Sequence, residues 1–381
     1  MIHVSRKAQQ IPPFLVMEVL ERAQQLQREG VDVIHLEVGE PDFATPQCVK
    51  QAAIEGLQRD MTHYTHSMGR IELRQAICEL YRKRYGVEVS PERVIVTSGT
   101  SPAMLLAFAA LLDPGDDIVL TNPHYACYPN FIRLVDGEPN FVDVSESDGF
   151  AYRPQRVREK LTPRTRGILV NSPGNPTGTL VPPEVLAQLC ELGPPVISDE
   201  IYHGLVYQGQ EHTILEFCDH ALVLNGFSKL YAMTGWRLGW VIAPEELVRP
   251  MQKLQQNFFI AAADFVQHAA LSALRDCDDE VETMRAEYDR RRKVLVPRLR
   301  EIGFRVAGEP NGAFYVFAGV DHWTDDCRRF AFDVLEQAHV AITPGVDFGS
   351  GGEGYVRFSY ANSLENIIEG CERLERFIAQ R

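Results

Sequence analysis

The sequence predicts an α/β fold: a large domain with a mainly parallel sheet sandwiched by helices, joined to a smaller α/β domain. Three observations carry that expectation. From about residue 46 to 250, short apolar runs alternate with helical stretches, the pattern of a parallel sheet covered on both faces. The runs include Ile118-Val-Leu120, Ile168-Leu-Val170, Val196-Ile-Ser198 and Ala221-Leu-Val-Leu224. From about 262 to 302 the spacing becomes long-helical and charge-rich, and the arginine-rich stretch Arg285 to Arg300 is expected to be mostly a solvated helix face. Beyond it, Gly312-Ala-Phe-Tyr-Val-Phe317 and Tyr355-Val-Arg-Phe-Ser359 are expected as strands of the smaller unit. The expected division is 46–280 for the large domain, with 1–45 and 281–381 forming the small domain and an N-terminal segment. A chain of 381 residues accommodates two domains of ~100–200 residues each.

The elements follow in chain order. Val16 to Glu29 has helical spacing and stops at Gly30, a C-terminal stop signal. Val31 to Val38 reads as a strand leading into the turn Gly39-Glu-Pro41. Val94-Ile-Val-Thr97 is a strand, followed by the small-residue turn Ser98-Gly-Thr-Ser101 and a helix start. Free backbone N–H groups at such a start, here Gly99, Thr100 and Ser101, suit an anion. A glycine turn before a helix is common, so this signal is weak alone. The strand Gly167 to Val170 runs into Asn171-Ser-Pro-Gly-Asn-Pro-Thr-Gly178, a rigid non-helical loop that would fix the Asn175 amide. After the breaker Gly193-Pro-Pro195, the strand beginning at Val196 ends in polar residues, and Asp199 at its carboxyl end would face the ligand crevice of an α/β sheet. An aspartate at a strand-to-helix junction also serves as an N-cap. Tyr202 follows three positions later. Gly226 to Arg237 then sets Lys229 between the Ser228 hydroxyl and the Arg237 guanidinium. A lysine able to form a Schiff base beside an anion site is what a pyridoxal phosphate enzyme needs. The glycine-rich Gly349 to Gly354 does not lead from a strand into a helix, so it reads as a flexible connector rather than a nucleotide loop.

In this order the segments around Lys229, Asp199, Asn175 and Gly99 resemble the class I/II (fold type I) pyridoxal-phosphate aminotransferases. The likeness extends to Leu36-Glu-Val-Gly-Glu-Pro-Asp-Phe43, to Tyr64 with Gly69 and Leu73-Arg74, to Pro123-His-Tyr-Ala-Cys-Tyr128 and to Val356-Arg-Phe-Ser359. It implies a cofactor, pyridoxal 5'-phosphate, carried on Lys229 as a Schiff base. Lys229 would also move the substrate proton. Asp199 would pair with the pyridine nitrogen, while Tyr202 and Asn175 would lie beside the ring oxygen. Tyr125 would stack on the ring, and Gly99, Thr100, Ser101, Ser228 and Arg237 would hold the phosphate. Gly39, Asn175 and Arg357 would meet the substrate, with Arg357 on its α-carboxylate. Tyr64 would reach the phosphate of a neighbouring subunit, implying a homodimer with shared sites. His124 and His203 are assigned no role.

The implied activity moves the amino group of an L-amino acid to a 2-oxo acid by a ping-pong route. A carbon–sulfur β-lyase on the same scaffold is the alternative. Ser101 stands where an aspartate-specific subgroup carries lysine, and Phe14, Phe258, Phe259 and Ile260 are candidates for the side-chain pocket, though core packing would use the same residues. A neutral or apolar donor is therefore expected, with 2-oxoglutarate or pyruvate as acceptor. An arginine from the 285–300 stretch could reverse that preference by reaching into the pocket.

Composition narrows the remaining classes. The formal net charge is −14, from 38 basic and 52 acidic residues, which argues against a nucleic-acid surface. Eight scattered cysteines show no metal-ligand spacing, so free thiols and no metal are expected. The N-terminal residues lack an apolar signal core, and no apolar run approaches the ~20 residues of a membrane span. A cytoplasmic location is expected. A cofactor-sensing regulator would need a DNA-binding domain, whereas Gly39-Glu-Pro41 already belongs to the catalytic body.

Overall fold

The computed structural model describes residues 2–381. Its strands are β1 (Ile34–His35), β2 (Val94–Thr97), β3 (Asp117–Asn122), β4 (Glu138–Asp143), β5 (Thr165–Asn171), β6 (Val196–Asp199), β7 (Leu222–Gly226), β8 (Gly239–Ile242), β9 (Tyr315–Gly319), β10 (Val340–Ala341), β11 (Thr343–Pro344) and β12 (Tyr355–Ser359). Seven of them form one sheet in the order β2-β8-β7-β6-β5-β3-β4. Only β8 runs antiparallel to its neighbours there; the other pairings are parallel. Strands β2, β3, β6, β7 and β8 are buried along their whole length. A parallel sheet covered on both faces requires this, and it explains why the sequence reads as short unbroken apolar runs. The helix Thr100–Leu111 is apolar almost all round because it is wedged between β7, β8 and the helix Glu245–Phe258.

The sheet positions the site by register. Asn171 and Asp199 are paired partners at the carboxyl ends of β5 and β6, so both side chains leave the sheet at the same end. The next strand over, β7, ends at Gly226 and delivers Phe227, which packs edge-on against Trp240 with ring centroids 5.1 Å apart. That anchor fixes the start of the segment bearing Ser228 and Lys229.

A second, antiparallel sheet has the order β11-β12-β9. Beside it β1 pairs in parallel with β10. The helices Asp278–Ile302, Cys327–Ala338 and Leu364–Ile378 cover this unit. The division expected at residue 280 falls within the first turn of the helix Asp278–Ile302.

Several expectations need correction. The strand read over Val31–Val38 shrinks to Ile34–His35, because at Leu36 the chain leaves the ladder to bridge two elements: its N–H donates to Ala341 and its carbonyl accepts from Ser359. The strand read over Gly312–Phe317 begins at Tyr315; before it, Ala313 takes a positive φ of 56°, and Gly312 donates to the Gly178 carbonyl. The Gly349–Gly354 loop is a packed corner rather than a flexible connector. It holds one short 3-10 turn, Ser350–Gly352, directly after another at Gly345–Phe348, and the Gly351 N–H donates to Asn122 Oδ1 at 2.8 Å while Asn122 donates to Ser350 at 3.0 Å. The arginine helix is not wholly solvated either. Arg291 and Arg292 are buried, paired with Asp42 and Glu287 and with Asp289 and Glu309.

Candidate active site

A cavity of about 300 Å³ opens between the two units. Its walls include Gly39, Thr100, Ser101, Tyr125, Asn175, Asp199, Tyr202, Ser228, Lys229, Arg237 and Arg357. The fold therefore gathers residues spread over more than 300 positions into one pocket. Gly99 lies directly beneath it. Its φ is +101°, and an added methyl group would sit 2.6 Å from Arg237 Nη2; only glycine lets the guanidinium lie over the start of the helix Thr100–Leu111.

Lys229 donates from Nζ to the Gly39 carbonyl at 2.6 Å. Gly39 in turn is pressed against Tyr315, whose hydroxyl a Cβ there would strike. Burial pushes the Lys229 amine down to about 8, Glu40 opposes the shift, and Arg357 and then Arg237 reinforce it. Burial thus leads, and the two guanidinium groups add to it. The Asp199 carboxyl is buried, receives the Tyr128 hydroxyl on Oδ2 at 2.6 Å and the Ile201 N–H on Oδ1 at 3.2 Å. Burial lifts it to about 6, against the lowering effect of those two hydrogen bonds. No helix follows Asp199, so it is not an N-cap; its Oδ1 holds the Ile201 N–H in a turn instead.

Arg357 is buried in a cation-π sandwich, its guanidinium 4.2 Å from the Tyr315 ring centroid and 4.8 Å from that of Phe348. It donates to Asn175 Oδ1 at 2.8 Å and to the Glu37 carbonyl at 2.6 Å, while its Nε has no partner. No carboxylate pairs with it or with Arg237 among the described residues. Arg237 donates to the Thr234 carbonyl at 2.9 Å.

These features test the fit of pyridoxal phosphate. One end of the pocket offers a helix N-terminus, a serine hydroxyl and an unpaired guanidinium, a donor set for a phosphate. The centre offers a lysine amine of depressed basicity. The floor offers a buried carboxylate that a protonated ring nitrogen would satisfy. The donors and charges fit the group.

Tyr64 is 82% exposed and lies outside this chain's pocket. Phe14 does line the pocket and meets Tyr125 edge-on at 6.4 Å. Phe258, Phe259 and Ile260 do not line it, which corrects their expected place: the helix Glu245–Phe258 ends there, and Phe258 and Ile260 turn outward with exposures of 66% and 44%. No arginine from 285–300 lines the pocket, since each is held by a carboxylate. Sequence reading missed Tyr128 and Tyr315, whose hydroxyls meet Asp199 and, at 2.8 Å, Tyr202. For Tyr128 a signal existed, three positions after Tyr125. Tyr315 reaches the site only by tertiary placement of β9.

The family profile for aminotransferase class I and II matches residues 31–374. This chain belongs to the class I and II aminotransferases. It is therefore a pyridoxal-phosphate enzyme acting on amino acids and 2-oxo acids. Among its relatives, the aminotransferase is 42% identical over 379 residues to a (5-formylfuran-3-yl)methyl phosphate transaminase of Methanocaldococcus jannaschii, covering 98% of this chain and 99% of that one. It is 39% identical to a valine–pyruvate aminotransferase of Mycobacterium tuberculosis, covering 96% of each. Its fold matches the solved structure of a Thermus thermophilus aspartate aminotransferase with maleate at a TM-score of 0.95 and 38% identity, over 99% of this chain and 100% of that one. These three relatives differ in substrate, so membership fixes the cofactor and reaction class but not the donor. No helix among the described residues is long and apolar enough to cross a membrane.

Proposed function

We propose that this aminotransferase takes its amino group from a neutral or apolar L-amino acid and passes it to a 2-oxo acid in a ping-pong cycle. When bound, pyridoxal phosphate supplies an electron-withdrawing ring that stabilises negative charge at the substrate Cα. The helix start at Gly99, Thr100 and Ser101, the Ser228 hydroxyl and Arg237 would hold the phosphate. Asp199 would pair with the ring nitrogen, Tyr125 would stack on the ring, and Tyr202 and Asn175 would lie beside its oxygen. Lys229 would be the tether and the base for the Cα proton; with its amine lowered to about 8, a useful fraction is neutral near physiological pH. Arg357 orients the substrate through its carboxylate beside Asn175 and Gly39. In this reading 46–280 is the cofactor-bearing domain and the remainder, 1–45 and 281–381, the domain that brings Arg357 to it.

One observation carries the donor preference. Every cation lining the pocket already has a role: Lys229, Arg237 and Arg357 are the only ones among the described residues. The rest of the side-chain space is bordered by Phe14, Val16, Met17 and Met104, and Ser101 offers no charge. A distal carboxylate would be buried without a partner, at a cost of several kcal/mol. The valine–pyruvate relative supports this donor class, and the Thermus aspartate relative names the competitor. In single-donor assays, kcat/KM for alanine, methionine or phenylalanine is expected to exceed that for aspartate by about 100-fold. A clear preference for aspartate would overturn the proposal.

The proposed assembly is a homodimer with shared sites. The Tyr64 segment is tied to the end of the helix Glu245–Phe258 by Gln252 and Gln256, which both donate to Ser67. Tyr64, Phe258 and Ile260 are thus exposed in one region, with no job inside their own chain. Mixing Tyr64→Phe with Lys229→Ala protein should raise activity, because one site of each hybrid then carries neither lesion. Unchanged activity after demonstrated subunit exchange would return Tyr64 to its own subunit.

A further inference from the structure

We propose that Cys48 with Cys277, and Cys190 with Cys218, are two sites of disulfide formation that brace the active-site walls from behind. All eight cysteines carry free thiols in this structure, yet these four are sorted into pairs. The Sγ atoms lie 2.6 Å apart at Cys48 and Cys277 and 2.8 Å apart at Cys190 and Cys218. A disulfide bond is about 2.05 Å long, so each pair needs to close by less than about 1 Å. Among the described residues Cys78, Cys127, Cys327 and Cys371 have no sulfur neighbour of this kind, and Cys327 instead accepts the Val346 N–H.

Both pairs sit where a covalent link would act on the site without entering it. Cys48 lies in the first turn of the helix Gln47–Gln58, and Cys277 joins the helices Asp264–Asp276 and Asp278–Ile302. Three residues before Cys48, Thr45 donates to the Ala232 carbonyl and receives Trp236 Nε1, tying this corner to the segment that follows Lys229. Cys190 ends the helix Pro183–Cys190. Cys218 follows the turn Ile214–Glu216, whose Ile214 N–H and neighbouring Thr213 hydroxyl hold the buried Glu200 beside Asp199. None of the four cysteines lines the pocket.

The reaction needs a two-electron oxidant, which we take to be a low-molecular-weight disulfide. Cys48 and Cys218 are partly exposed whereas their partners are buried, so attack starts at the exposed sulfur. Its thiolate displaces one thiolate from the small disulfide and forms a mixed disulfide. The buried partner then loses its proton, bonds to the protein sulfur and expels the second small thiolate. Two protein thiols are oxidised and one small disulfide becomes two thiols. At Cys218 the hydrogen bond from Cys190 already holds the thiol below its usual range, which favours that order.

The pairs are separated by 229 and 28 positions, and a link across a long span constrains the unfolded chain most. The test uses the cofactor-loaded enzyme incubated with glutathione disulfide, then denatured for thiol counting and digested without reduction for mass mapping. The proposal expects the titratable thiols to fall from the eight of the sequence to half that number, with linked peptides 48–277 and 190–218. The melting midpoint should rise by about 5 °C or more and return on reduction. Cys48→Ser should remove only the first link and Cys190→Ser only the second, each with kcat within about twofold of the parent, as residues outside the pocket require. The peptide map of the unsubstituted enzyme decides the matter even where a variant folds poorly. Eight thiols remaining, single glutathione adducts without internal links, or links through Cys78, Cys127, Cys327 or Cys371 would each overturn it.

Discussion

Lys229→Ala is expected to lower steady transamination by more than ~10⁴-fold, since one side chain supplies both the cofactor tether and the proton carrier. No neighbouring amine can substitute: among the described residues the other cations of the pocket are guanidinium groups, which do not deprotonate in proteins. Borohydride reduction of the loaded enzyme followed by peptide mapping should place the cofactor on Lys229. A label on any other lysine would sink the assignment. A second readout does not need turnover. In cofactor-free protein the reaction of this amine with an added aldehyde should rise with pH around a midpoint near 8, well below the range of an ordinary lysine. A midpoint near 10.5, the usual value, would mean that the amine is solvated and that the pocket does not tune it.

Asp199→Ala is expected to reduce kcat by about 10³-fold, the scale of losing one preorganised charge partner in a buried site. Cofactor binding should persist, because the phosphate donors at Gly99, Ser228 and Arg237 are untouched. Near-normal turnover would reduce the carboxylate to a cap on the Ile201 N–H. A stability signature accompanies the carboxyl. In cofactor-free protein its pKa is raised from 3.8 to about 6, so between those values the folded state binds more protons than the unfolded one. Stability from this group is therefore fully present at low pH and declines as pH rises through that window. Asp199→Asn should flatten that decline in the melting midpoint. Tyr128→Phe removes a hydrogen bond that stabilises the charged carboxylate, and should move the window upward.

The central sheet was legible in the sequence for a simple reason. Its strands are buried on both faces, so each appears as an apolar run ending in polar residues. The glycine and proline punctuation then marks where each strand delivers its loop. That is why Lys229, Asp199, Asn175 and the turn at Thr100 and Ser101 are legible in the sequence, and one pocket contains them. The outer reach of the site was less legible. Phe258 and Ile260 have the composition of a pocket wall, but composition carries no direction, and a helix end turned them outward.

By itself the sequence determined the fold class, through its apolar runs and their punctuation, and carried the local motifs whose resemblance to a known family implies the cofactor chemistry. Only the tertiary structure decided the hydroxyls of Tyr128 and Tyr315, the confinement of the 285–300 arginines to carboxylate partners, and the meeting of Cys48 with Cys277. These contacts join positions far apart in the chain. Their distances depend on how the helices and the second sheet pack against the first, and no local pattern of residues records that.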